Sequence, residues 1–192
     1  MPEAESNQLS GRVLIDAGVF IGALLRGDPR HAEARPLVER ARRGEFASCT
    51  TAGILSEVYG ALTWEKAEPR HDPVEAARAV RLLVEPPSAI VVLGENLEVA
   101  LKTVELAAKY RLTARRVHDA RHAAAALTAG SVSVYTYDPN DWQVFASEGL
   151  HIVGPPTTVA RLEGALSPSV APLVLGVACG GLPQAGRGED VS

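Results

Sequence analysis

Residues 13–25 read VLIDAGVFIGALL. Val13-Leu14-Ile15 has the apolar, β-branched character of a strand buried on both faces. Val19-Phe20-Ile21 and Leu24-Leu25 continue as the start of an apolar helix. One charged side chain, Asp16, stands at the joint between them. An unpartnered carboxylate in such surroundings costs several kcal/mol or takes up a proton. Parallel α/β sheets also place their ligands at this kind of joint, at the carboxyl end of a strand. The stretch therefore points to an α/β chain with something to compensate Asp16.

Outward from this stretch, strands and helices alternate. A strand at about 12–16 precedes helical segments at about 18–25 and 30–43. GEFASCT reads as a second strand and TTAGILSEVYGALTW as a helix, with Ile54, Leu55, Val58, Tyr59 and Leu62 at helical spacing. Asp72-Pro73-Val74-Glu75 supplies a cap, a first-turn proline and an acid for a helix that Pro86-Pro87 stops. Ala89–Leu93 reads as a third strand. A helix at about 95–110 shows an apolar face of Leu97, Leu101, Val104 and Ala108, with Glu98–Lys102 and Glu105–Lys109 as i,i+4 pairs. A further helix at about 115–129 ends at Gly130. SVSVYTY is a fourth strand, DPNDWQVFASEG a short helix and HIV a fifth strand. Strands separated by helices imply a central parallel sheet with helices on both faces.

Composition sets further bounds. The chain has 192 residues, 46% of them apolar, and a formal net charge of −4. That is enough chain for one substantial core, and the charge balance does not announce a nucleic-acid binder. Cys49 and Cys179 have neither a disulfide framework nor metal spacing, which suits a reducing cytoplasm. The polar opening MPEAESNQLSGR lacks the pattern of a secretory signal, and no apolar run is long enough to span a membrane. The expected organisation is a polar extension at 1–11, one domain at 12–162 and a Gly/Pro-rich, weakly ordered tail at 163–192.

Four carboxylates do not fit their surroundings. Asp16 ends the first strand and Asp138 follows the fourth. Glu57 lies in an apolar helix beside Gly53, Gly60 and Ala61, and Asp119 precedes a run of alanines. Small neighbours leave a carboxylate accessible and let another element approach. Acids gathered at one point repel one another unless a divalent cation lies among them, and hard oxygen donors suit Mg2+ or Mn2+. Each also has a plainer reading: Asp16 and Asp138 as helix caps, Glu57 as a surface acid, Asp119 as a first-turn acid. The functional argument rests on the set.

The set resembles the PIN-domain ribonucleases, and within them the VapC-like toxins of toxin–antitoxin pairs. The resemblance runs over roughly 12–160 and is carried by VLIDAGVFIGALL, TTAGILSEV, VHDARHAAAAL and VYTYDPNDW. It implies a PIN-like α/β/α sandwich of four to five parallel strands and an endoribonuclease dependent on Mg2+ or Mn2+. Asp16 and Asp119 would ligate the metal. Glu57, with Asp138 or Asp141, would act on the attacking water, and Thr136 would help to arrange the acids. Arg115, Arg116 and Arg121 are candidates to guide RNA phosphates; their plainer reading is as solvated helix charges. The resemblance also implies a cognate antitoxin, a homodimer formed through helices, and no membrane.

Other readings compete. His118-Asp119 and His71-Asp72 suggest an HD-type phosphohydrolase, but that chemistry needs more histidines in an all-helical fold. Gly18 stands where a haloacid-dehalogenase-like phosphatase needs its second Asp. His118 or His122 as a metal ligand is set against a packed or solvent-facing histidine. A PIN fold that binds RNA or protein without cutting is the rival of a different class.

Overall fold

Val13–Ile15 forms β1 at the centre of the sheet, where β-branched side chains pack against helices on both sides. The computed structural model describes residues 11–166. The other strands are β2 (Ser48–Thr51), β3 (Val91–Leu93), β4 (Ser133–Tyr135) and β5 (His151–Gly154). All pairings are parallel and the order is β3-β2-β1-β4-β5. Leu14 lies between Cys49 of β2 and Val134 of β4. All three are fully buried.

Eight α-helices cover the sheet among the described residues. They are α1 (Ala17–Leu24), α2 (His31–Arg42), α3 (Ala52–Thr63), α4 (Pro73–Val84), α5 (Leu97–Lys109), α6 (Arg116–Thr128), α7 (Pro139–Trp142) and α8 (Pro156–Leu166). A 3₁₀ turn, Gln143–Glu148, follows α7. The result is the expected α/β/α architecture. Capping follows local chemistry: Asp72 accepts from the Val74 amide at 2.8 Å and Asn96 from Val99 at 2.9 Å, each worth about 1 kcal/mol. Helices α1 and α2 cross closely at Gly22, where a Cβ would lie 3.2 Å from Ala34 Cβ.

Two elements differ from expectation. The stripe Leu97, Leu101 and Val104 of α5 faces solvent, at 74%, 62% and 67% exposure. The helix buries Val99, Thr103 and Leu106 instead, an equally regular i, i+4, i+7 row that packs toward α6. The expected i,i+4 ion pairs give way as well: Lys102 pairs with Glu105 at 3.4 Å, and Lys109 with Glu148 of the 3₁₀ turn at 2.5 Å. Helix α8 was not anticipated. It runs to Leu166, across the boundary expected at 162, and Glu33 of α2 anchors its first turn through the Thr157 amide and hydroxyl at 3.0 and 2.8 Å. The rest of the expected tail, and residues 1–10 of the N-terminal extension, lie outside the described residues. No helix among the described residues is long and apolar enough to cross a membrane.

Candidate active site

Strand order reverses between β1 and β4: β2 and β3 lie to one side, β5 to the other. A crevice at the carboxyl ends of the strands is expected at such a point. Asp16 leaves β1 there. Its Oδ1 accepts from the Ala17 amide at 2.8 Å, so the cap reading of this residue is realised. Its Oδ2 accepts from the Thr136 hydroxyl at 2.7 Å and from Trp142 Nε1 at 3.2 Å. Burial raises the carboxyl above its ordinary range, against the lowering effect of the Thr136 and Ala17 bonds, the charge of His122 and the Trp142 bond. Thr136 is fully buried and its Oγ1 also accepts from the Asp138 amide at 2.9 Å. One hydroxyl thus links the end of β4 to the end of β1.

A cleft of about 820 Å3 opens beside Ala17. Glu57, Asp119 and Asp141 line it, together with Arg115, Arg116 and Arg121. The small residues noted in the sequence matter here. A Cβ at Gly53 would run into the Arg121 guanidinium and the His122 ring, so glycine is what lets α6 lie against α3. Asp119 is pushed up to about 7, first by desolvation and then by the charges of Asp141, Asp16 and Glu57; His122 opposes this without offsetting it. The acids are thus near enough to feel one another strongly. Glu57 ends below the usual carboxylate range. Desolvation raises it, but the His122 hydrogen bond and the charges of His122, His118 and Arg121 outweigh that. Among the described residues, no three His, Cys, Asp or Glu side chains converge tightly enough to enclose an ion unaided.

The two candidates for the fourth acid separate. Asp141 lies on the cleft, 3.5 Å from Arg116 Nε. Asp138 is not among the cleft residues; burial and the neighbouring Asp141 raise its carboxyl. Its side chain does not cap α7, contrary to the plainer reading of Asp138-Pro139. Of the three arginines, Arg121 pairs with Glu95 at 3.3 Å and Arg116 with Asp141. One contributor escaped sequence reasoning. Trp142 supplies an N–H to Asp16 from 126 residues away. For His122 the packed reading holds: the ring is buried and bridges Thr51 Oγ1 at 2.8 Å to Glu57 Oε1 at 2.9 Å.

An all-parallel sheet with carboxylates gathered where its order reverses defines an α/β domain of the PIN type. Residues 13–146 match the PIN domain family, and the chain belongs to it. The fold is similar to that of VapC20 of Mycobacterium tuberculosis, a toxin that cleaves the sarcin–ricin loop. Identity there is 17% over 74% of this chain and 99% of that one, with a TM-score of 0.55. It is also similar to VapBC-1 from nontypeable Haemophilus influenzae, with 16% identity, 73% and 95% coverage and a TM-score of 0.52. No curated protein matches the sequence significantly.

Proposed function

We propose that the chain is a divalent-metal-dependent endoribonuclease acting as a VapC-like toxin in the cytoplasm. The observation that carries this is the gathering of Glu57, Asp119 and Asp141 on one cleft, where desolvation first, and then the charges of Asp141, Asp16 and Glu57, push Asp119 up to about 7. A cation is the natural partner for such a cluster. The donors are all carboxylate oxygens and suit Mg2+ or Mn2+. The loose convergence suits an ion that keeps several waters and is bound by one or two carboxylates. When bound, the ion would supply positive charge to the phosphate and the leaving 3′-oxygen and make water easier to deprotonate.

The chain's own residues take the remaining roles. Asp16, fixed by three donors, and Asp119 would hold the ion. Glu57 and Asp141 would orient the attacking water and accept its proton, with Asp138 the alternative to Asp141. Thr136 and Trp142 keep Asp16 oriented. Arg115, Arg116 and Arg121 border the acids, where they can take RNA phosphates without reading sequence. A cognate antitoxin would occupy the toxin between bouts of activity. A homodimer is proposed through α5, whose Leu97, Leu101 and Val104 are exposed.

The test maps RNA ends after a short pulse of expression, wild type against Asp119→Asn, and repeats the cleavage with purified protein in Mg2+, Mn2+ and EDTA. New ends that depend on Asp119 and on the cation are the expected result. The rival, a PIN module that binds without cutting, draws on the lack of a ready three-donor ion site among the described residues. It predicts no new ends in either strain.

A further inference from the structure

Behind the acids lies a polar chain that the proposed reaction does not yet use: Thr51, His122 and Glu57. Thr51 is fully buried and His122 is 1% exposed. The Thr51 hydroxyl accepts from the Ile54 amide at 3.2 Å and so caps α3. The same oxygen lies 2.8 Å from His122 Nδ1, within hydrogen-bond distance. An ionised carboxylate only accepts, so Nε2 carries a proton and donates it to Glu57 Oε1, at 2.9 Å. This arrangement partners the polar side-chain atoms of Thr51 and His122, as a buried network requires.

The Glu57 side chain is 41% exposed, and without a tether it would sample several rotamers. A reacting carboxylate must be held to within a fraction of an ångström. His122 lies one turn beyond Asp119 on α6 and so shares its face. Gly53, with no Cβ, makes room for the ring. We infer that His122 is a positioning residue: oriented by Thr51, it pins Oε1 of Glu57 and leaves Oε2 as the oxygen available to the attacking water. The inference rests on Glu57 acting in the proposed cleavage.

The test uses the full chain with Glu57→Gln, His122→Leu, His122→Gln and His122→Asn. It reads the initial rate on an RNA that the expression pulse shows to be cut, in Mg2+, the thermal midpoint, and the ring nitrogen spectrum of the metal-free wild type. Glutamine places an N–H near the Nε2 position, whereas asparagine reaches only as far as Nδ1. The leucine and asparagine variants should lose roughly 10- to 100-fold in rate, the cost usual for a group that orients a metal-site residue. The glutamine variant should recover most of it at a similar midpoint. The spectrum should show a proton on Nε2, with a signal that moves in Glu57→Gln. Equal rates for the glutamine and asparagine variants, high or low, overturn the inference, as does an unprotonated Nε2. An active Glu57→Gln variant removes the role of Glu57 and this inference with it. An inactive Glu57→Gln beside a folded, fully active His122→Leu overturns the inference alone.

Discussion

Asp119→Asn should stabilise the metal-free protein while abolishing cleavage. Asp119 rises from 3.8 to about 7 in the folded state. Each unit is worth about 1.4 kcal/mol, so the ionised carboxylate costs at most about 4 kcal/mol. Asp119 is only half-buried, and screening reduces the cost to about 1–2 kcal/mol. Its first-turn position in α6 favours the charge, but by about 0.5 kcal/mol, too little to change the sign. Because the folded-state value is raised, the cost is absent below the unfolded value of 3.8 and fully present above about 7. Urea denaturation in EDTA should therefore show Asp119→Asn more stable by about 1–2 kcal/mol at pH 8 and little changed at pH 4. Excess Mg2+ should stabilise the wild type by mass action and the variant much less. A variant less stable than the wild type at pH 8 in EDTA, or a difference that does not change with pH, would refute the electrostatic reasoning.

Thr136→Val removes a buried hydroxyl that donates to Asp16 and accepts from the Asp138 amide. It should cost about 1–3 kcal/mol by thermal or urea denaturation and lower the cleavage rate, even in variants stabilised elsewhere. Gly53→Ala should push α6 away from α3, since its Cβ would run into Arg121 and His122; both the melting temperature and the rate should fall, and an unchanged rate would show that this close approach is dispensable. Leu101→Glu, at a position 62% exposed, should leave monomer stability within about 0.5 kcal/mol. It should shift sedimentation from dimer to monomer if α5 forms the proposed interface.

What was legible in the sequence was local. Asp72-Pro73 marked a helix start because cap, proline and helix are adjacent in the chain, and the structure shows that cap at 2.8 Å. Asp138-Pro139 marked a helix start in the same way, and α7 begins at Pro139, but there the Asp138 side chain makes no cap hydrogen bond while its amide donates to Thr136 Oγ1. On α5 two apolar rows of equal regularity competed, and only packing against α6 selected Val99, Thr103 and Leu106. Helix α8 begins at Pro156 and continues through Thr157-Thr158-Val159, β-branched residues that are indifferent helix formers. Its anchor, Glu33, lies 124 residues away. The acids were legible as a set because each stood out against small or apolar neighbours. Their partners were not, since Trp142 and His122 reach Asp16 and Glu57 across 126 and 65 residues.

Three donors satisfy the oxygens of Asp16, which explains how the fold tolerates the group. They do not explain why burial still raises its carboxyl, or why Asp119 is raised further by its neighbours. Hydrogen bonds from neutral donors hold a carboxylate in place without neutralising it. Residual negative charge therefore collects at the point where the sheet order reverses, ringed by arginines that are partly engaged by Glu95 and Asp141. A purely structural cluster would gain stability by replacing one acid with its amide. A chain that instead keeps Glu57, Asp119 and Asp141 on one cleft, with Asp16 close enough to raise Asp119, retains an electrostatic cost that a divalent cation would relieve.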